Sequence, residues 1–262
     1  MGAAARHAQV LDTLLRLPVN DPASPYAAWN LSEAAFLRRL DQYGIQRAVI
    51  HASPPLAADF AACVRSNREL LRFIHRFPRR FTGGCAVDLR YPEESLREIE
   101  TWRKEFGMVW VSEVAFPRKD QQASSQAIHR IVEQAERLHM IVTISADSEG
   151  AAAMARDHRN ATLVFSQTEF GLDPYIQRFD AIRAGVNFYV DTTARGYERM
   201  GLIELAVERL GVSRVLYGSN FAIRSAAAVI ARIENSFLDE AQKDAIFAHN
   251  AERILSDAGW KA

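Results

Sequence analysis

The chain has 262 residues, of which 48% are hydrophobic and 24% charged, a composition typical of a folded globular protein. Its 32 basic and 32 acidic side chains give a formal net charge of zero, so no nucleic acid or anionic membrane surface is expected as a partner. The two cysteines, Cys63 and Cys85, form no C-x-x-C pair, and the first ten residues lack the apolar core of a signal peptide. We therefore expect a cytoplasmic protein.

Short apolar segments rich in β-branched residues recur along the chain and alternate mostly with amphipathic helical stretches. Such runs predict buried strands of a parallel sheet joined by helices. The eight predicted strands cover residues 9–15, 47–52, 83–89, 108–114, 140–146, 162–167, 186–192 and 214–220. Eight strands in a chain of this length favour a closed barrel over an open sheet. The prediction is an α/β fold, a single (β/α)8 TIM barrel forming one domain over residues 1–262.

The predicted helices are bounded by ordinary start and stop residues. In segment 31–44, Ser32 is a suitable N-cap and Gly44 a suitable end, and segment 92–107 begins with Pro92 and closes on a glycine. The remaining predicted helices cover residues 122–138, 148–158, 172–184, 196–210 and 223–236, followed by a helical pair over 238–255. The segment 16–29 contains three prolines and follows the first strand, where it could form a lid over the active-site face.

Three segments resemble one family of barrels. RVLYGSNF (214–221) looks like the family's eighth strand, HNAERIL (249–255) like its closing helix, and NRELLRFIHRFPRRFTGGCAVDLRYPEES (67–95) like its second helix and third strand. The chain thus resembles the amidohydrolase-related barrels that include aminocarboxymuconate-semialdehyde decarboxylase, which have a metal-dependent-hydrolase-like fold. The resemblance implies a site at the carboxyl ends of the strands. It also implies a catalytic metal held by a His-x-His pair on strand one, a His each on strands five and six, and an Asp on strand eight.

The positions that the resemblance assigns to metal ligands carry other residues in this chain. The strand-one pair falls on Leu14 and Arg16, strand five on Ser145, strand six on Gln167 and strand eight on Asn220. A catalytic metal takes about three imidazole or carboxylate ligands, whereas these positions provide one permanent cation, one hydrocarbon and three neutral oxygens. We therefore expect no metal and no other cofactor.

The predicted strand ends still present a set of polar residues suited to a small anionic organic molecule. Arg16 is a candidate clamp for a carboxylate, because its planar guanidinium binds two oxygens at once. His51 and Asp191 are candidates for proton transfer, because imidazole titrates near neutral pH and a carboxylate near Arg16 stays ionised. The remaining candidate substrate-binding residues are Glu113, Ser145, Gln167 and Asn220.

Each candidate has a structural alternative. His51 could be a core histidine bonded to a backbone carbonyl, Asp191 could cap the following helix, and Glu113 could face the helices instead of the barrel axis. Three functions remain open for the chain. They are a metal-independent enzyme of the lyase, decarboxylase, isomerase or hydratase type, a non-catalytic ligand sensor or scaffold subunit paired with an active paralogue, and a metal-dependent hydrolase with a relocated site at His51, Glu113 and Asp191. A homo-oligomer is compatible with all three.

Overall fold

Eight parallel strands form one sheet in chain order, each hydrogen-bonded to the next. The structure is a computed structural model that describes residues 9–17, 31–52, 59–115, 122–166, 172–193 and 199–260. The strands are β1 (Val10–Arg16), β2 (Ile45–His51), β3 (Phe81–Cys85), β4 (Trp110–Ala115), β5 (Ile141–Ser145), β6 (Thr162–Ser166), β7 (Phe188–Asp191) and β8 (Val215–Leu216). The predicted single (β/α)8 TIM barrel is confirmed.

Helices lie between the strands and after the last strand. They are α1 (Glu33–Gln42), α2 (Phe60–Arg76), α3 (Pro92–Lys104), α4 (Gln122–Arg137), α5 (Ser148–Asp157), α6 (Leu172–Arg183), α7 (Leu202–Leu210), α8 (Ala226–Glu234), α9 (Glu240–Asp244) and α10 (Asn250–Asp257), the last two joined by a π-helical turn (Ala245–His249). Ser32 caps α1 as predicted, through its side chain and the backbone N–H of Ala35. Buried apolar residues of these helices pack on the outward-facing residues of the strands to form the main core.

The barrel closes between β1 and the segment that follows β8. The backbone N–H of Thr13 donates to Tyr217 O at 2.9 Å, and the N–H of Asn220 donates to Leu14 O at 2.8 Å. The N–H of Arg16 completes the seam by donating to Phe221 O at 2.7 Å. Residues 217–221 therefore complete the hydrogen-bonded closure of the barrel although they lie beyond the regular part of β8.

The barrel interior has an apolar lower layer. One buried residue from each of seven strands joins a cluster with α10, whose Ala251, Ile254 and Leu255 close the amino-terminal end of the barrel. The seven strand residues are Leu11, Val49, Trp110, Ile141, Val164, Tyr189 and Leu216. Because strand side chains alternate between the two faces, the residues two positions further along each strand also point inward, one layer nearer the carboxyl ends.

Several observed boundaries differ from the predicted ones for local reasons. The third strand was predicted over 83–89, but β3 ends at Cys85, because the side chain of Asn67 takes both backbone hydrogen bonds of Ala86 at 2.8 and 3.0 Å. Helix α7 starts at Leu202, directly after Gly201, which adopts a left-handed conformation with φ of 85°. The helix was predicted from residue 196, and residues 196–198 lie outside the described residues. The last predicted strand, 214–220, is regular only over Val215–Leu216.

Most of the predicted lid segment 16–29, from residue 18 onwards, lies outside the described residues. Within the described part of the chain, no helix combines the length and the apolar composition needed to span a membrane.

Candidate active site at the carboxyl ends of the strands

A polar layer lies directly above the apolar one in the barrel. Moving two residues along each of the seven strands replaces every large apolar side chain by a polar residue or a glycine: Thr13, His51, Ser112, Thr143, Ser166, Asp191 and Gly218. The six side chains are buried, and the indole N–H of Trp110 in the lower layer donates to Thr143 Oγ1 at 2.8 Å. Polar groups are costly to bury without partners, so a complete layer of them at the functional end of a barrel indicates a site.

Arg16, Glu113, Ser166 and Asn220 form one hydrogen-bonded network at the top of this layer. The guanidinium of Arg16 forms an ion pair with Glu113, and its Nε donates to Asn220 Oδ1 at 3.3 Å. The Ser166 hydroxyl donates to the other carboxylate oxygen of Glu113 at 3.3 Å. Glu113 therefore lies on the inner side of the barrel and does not face the helices. Asn220 has a φ of 55°, a left-handed conformation that asparagine tolerates better than most residues.

His51 lies at the end of β2 and is completely buried. Its Nε2 is 3.1 Å from the carbonyl oxygen of Thr13, the backbone contact considered as the structural alternative for this residue, and its ring packs edge-on against Trp110. Burial, together with the nearby positive charge of Arg16, lowers the pKa of His51 to about 3. The imidazole is therefore neutral near pH 7. Its Nδ1 has no hydrogen-bond partner among the described residues.

Asp191 ends β7 in the same layer and is also buried. Its Oδ1 accepts hydrogen bonds from the backbone N–H of Thr193 at 3.1 Å and from the Thr193 hydroxyl, whereas Oδ2 has no partner within the described part of the chain. The next described helix begins at Leu202 with Gly201 as its N-cap, so Asp191 does not cap it. Burial raises the pKa of Asp191 to about 7, and the negative charges of Glu113 and Asp12 act in the same direction.

Asp12 is a second buried carboxyl that the sequence reasoning did not select. Its Oδ1 accepts from the backbone N–H groups of Leu14 and Ser219, both at 3.0 Å, and its Oδ2 accepts from the Ser219 hydroxyl. Burial raises its pKa to about 7 although these hydrogen bonds oppose the shift. Asp12 thereby ties β1 to the loop that carries Asn220. A charged residue inside the apolar run VLDTLL was the available signal, because such a residue must have partners inside the fold.

Of the two remaining predicted site residues, Ser145 lies in the described part of the chain and Gln167 does not. Ser145 is half-buried at the end of β5, where it pairs with Ala115 and Ser166 in the sheet. Gln167 lies outside the described residues. The described site residues therefore all lie at the same end of the barrel. They are Arg16, His51, Glu113, Ser145, Asp191 and Asn220.

The described residues at the positions that the sequence resemblance assigns to metal ligands do not fit a divalent cation. Leu14 is fully buried and has no donor atom, and the permanent positive charge of Arg16 occupies the second position. Ser145 and Asn220 offer only neutral oxygens, and the oxygen of Asn220 already accepts from Arg16. Throughout the described ranges, no group of three or more His, Cys, Asp or Glu side chains is arranged to hold a metal ion.

An eight-stranded parallel barrel with its polar layer at the carboxyl ends of the strands has the architecture of the (β/α)8-barrel proteins. The sequence matches the amidohydrolase family over residues 17–256, and the chain belongs to this family. A comparison with curated protein sequences gave no match.

Several solved structures share the fold. 5-Carboxyvanillate decarboxylase from Sphingomonas paucimobilis aligns with a TM-score of 0.73 and 14% identity over 95% of this chain and 99% of its own. 2,6-Dihydroxybenzoate decarboxylase from Rhizobium aligns with a TM-score of 0.71 and 14% identity over 97% and 99%. Dihydroxybenzoic acid decarboxylase from Polaromonas sp. JS666, with bound manganese and the inhibitor 2-nitroresorcinol, aligns with a TM-score of 0.69 and 15% identity over 95% and 97%. At these identities the likeness shows the fold alone.

Proposed function

We propose that the protein is a metal-independent enzyme that moves a proton to or from a small anionic organic molecule, with Asp191 as the proton carrier and Arg16 as the anion-binding residue. One observation carries the proposal. Asp191 is a buried carboxyl with one unpaired oxygen among the described residues and a pKa raised to about 7. A group that titrates near neutral pH is suited to act as general acid or base, and perturbed carboxyls of this kind cluster at active sites.

The proposed ligand is a small carboxylated, preferably aromatic, metabolite. The guanidinium of Arg16 lies at the top of the polar layer, where a carboxylate could share it with Glu113. Short polar side chains such as Thr13, Ser112 and Thr143 are buried in the layer below it. The decarboxylases with the same fold act, by their names, on carboxylated aromatic compounds, which supports the same class of ligand here.

The residues at the family's metal positions favour acid–base chemistry without a cation. With Arg16 in place of one ligand, a cation at that point would meet a like charge at close range. In a decarboxylation, the bond between the ring carbon and the carboxylate breaks, carbon dioxide leaves, and the carbon accepts the proton of Asp191. Isomerisation and hydration also require one proton to be moved at carbon, so the same residue serves the three reaction types.

The test combines a binding screen with one isosteric variant. Small aromatic and aliphatic carboxylic acids are screened by the rise in Tm that binding produces by mass action, and acids that bind are assayed for turnover. Asp191→Asn should abolish turnover and spare binding, whereas the same change at Asp257, an exposed residue of α10, should affect neither. Turnover that survives in Asp191→Asn would refute the assigned role.

One observation favours the second candidate, a non-catalytic ligand sensor or scaffold subunit. Arg16 is already engaged by Glu113 and Asn220, so part of the polar layer satisfies itself without a ligand. In that case acids would bind and raise the Tm of the wild-type protein without any turnover. Turnover of one acid that depends on Asp191 would exclude this candidate.

A further inference from the structure

Gly84, near the carboxyl end of β3, lies close to two polar side-chain atoms of the polar layer, His51 Nδ1 and Ser112 Oγ. A Cβ atom built on Gly84 would lie 3.1 Å from His51 Nδ1, 2.9 Å from Ser112 Oγ and 3.2 Å from Ser112 Cα. The two acceptors therefore flank one point on the inner face of the barrel, and a side chain larger than hydrogen at residue 84 would crowd them. A glycine in a strand often marks the place where another group approaches the backbone closely.

The hydrogen-bond roles of His51 are fixed by its surroundings. Its Nε2 faces the carbonyl oxygen of Thr13 at 3.1 Å, and because a carbonyl can only accept, Nε2 carries the proton. A neutral imidazole has one N–H, so Nδ1 carries a bare lone pair. His51 is completely buried, and Nδ1 finds no partner among the residues that the structure describes. A buried acceptor without a partner in the protein calls for a ligand or an ordered water.

Ser112 can only accept on the same side. Its hydroxyl donates to the backbone oxygen of Gly84 at 2.6 Å, which commits its single proton. The lone pairs of Oγ remain, next to the point that His51 Nδ1 also borders. Nδ1 therefore requires a donor, Oγ can accept a further hydrogen bond, and neither can donate to a carboxylate oxygen.

We propose that His51 Nδ1 and Ser112 Oγ form a subsite for a hydrogen-bond donor, which selects ligands carrying a hydroxyl group in addition to the carboxylate bound by Arg16. This inference rests on the proposed function for the carboxylate, and it assigns His51 a specificity role instead of proton transfer. The edge-on packing of the ring against Trp110 holds its plane, so that Nδ1 is oriented before the ligand arrives.

Binding of matched benzoates tests the subsite. The probes are benzoate, its three hydroxy isomers and the corresponding methoxy compounds, which can accept a hydrogen bond but cannot donate one, measured by isothermal titration calorimetry at pH 7. At least one hydroxybenzoate should bind about tenfold to a hundredfold more tightly than both benzoate and its methoxy analogue, because only it satisfies the buried acceptors. His51→Phe keeps an aromatic ring and should reduce this preference to about twofold or less, while the affinity for benzoate stays within about twofold.

Two further variants complete the design. His75→Phe makes the same change at an exposed position of α2 and should leave the hydroxyl preference intact. Ser112→Ala removes only the second acceptor and should weaken the preference even if His51→Phe fails to fold. In ¹⁵N spectra, His51 of the wild-type protein should show an unprotonated Nδ1 that shifts when the preferred hydroxybenzoate is added.

The outcomes separate the subsite from the proposed function. Hydroxy and methoxy compounds that bind equally well to the wild-type protein, or a preference that persists in both variants, would overturn the subsite and leave the role of Arg16 intact. If none of the benzoates binds at any concentration up to its limit of solubility, the hydroxyl subsite and the proposed function fail together.

Discussion

Replacing Asp191 by asparagine should stabilise the protein at high pH while removing its activity. The carboxyl is 1% exposed, and burial raises its pKa from 3.8 to about 7. The folded state therefore holds the proton more tightly than the unfolded chain does. The contribution of the protonated Asp191 to the free energy of unfolding is complete below about pH 4. It is lost as the pH rises through 7. At pH 8 the folded protein must carry a buried carboxylate with one unpaired oxygen among the described residues.

The size of the effect follows from the pKa. A rise from 3.8 to about 7 corresponds to a loss of about 4 kcal/mol in the free energy of unfolding between pH 4 and pH 8. Asparagine keeps an oxygen for the two hydrogen bonds from Thr193 but places an amide where Oδ2 has no partner in the described structure, which costs about 1–3 kcal/mol. We expect Asp191→Asn to be about 2 kcal/mol more stable than wild type at pH 8, or about 4 °C in Tm.

The assay is urea unfolding of both proteins at pH 4.5 and pH 8, followed by circular dichroism. The stability difference should favour the variant at pH 8 and shrink or reverse at pH 4.5. The exposed Asp257→Asn variant should match wild type at both values. An Asp191→Asn protein that is less stable than wild type at pH 8 would mean that the carboxylate stabilises the fold. The reasoning from its raised pKa to a retained functional group would then be refuted.

Three further predictions concern the surrounding residues. Asp12→Ala should lower the free energy of unfolding by roughly 3–5 kcal/mol in urea titrations, because it leaves three buried donors unpaired. Asp12→Asn should lower it clearly less, and equal losses in the two variants would contradict the prediction. Arg16→Met should weaken benzoate binding at least tenfold and destabilise the fold by removing the cationic partner of the Glu113 carboxylate. Adding Glu113→Gln should restore stability without restoring binding, and restored binding would exclude Arg16 as the anion site. The thiols of Cys63 and Cys85 should not react with a thiol reagent until the protein unfolds. Burial raises the pKa of Cys63 to about 12 and that of Cys85 well above its usual value. Fast reaction of the native protein would contradict the burial of the two thiols.

The architecture could be predicted from the sequence because it depends on local patterns. Apolar runs gave the order of all eight strands, and the position of Arg16, His51 and Asp191 at strand ends followed from barrel geometry. Boundaries failed where a side chain from elsewhere in the fold competes with the backbone. Asn67, which ends β3 by bonding Ala86, lies 19 positions away in sequence, and no local pattern reveals such a pairing.

The electrostatics of the site could not be predicted from residue types. A histidine is expected to titrate near neutral pH and an aspartate well below it, but burial lowers the pKa of His51 to about 3 and raises that of Asp191 to about 7. Both residues were predicted to transfer protons, but burial leaves only the pKa of Asp191 near neutral pH. The pairing of Arg16 with Glu113 likewise depends on irregular register in β1 and β4, which the sequence pattern does not mark.

Elemental analysis of active protein purified without chelator tests the central proposal most directly. Metal-independent chemistry by Asp191 predicts that zinc, manganese and iron are each far below one atom per chain, and that activity survives dialysis against a chelator. One tightly bound metal atom per chain, lost together with activity on dialysis, would contradict it.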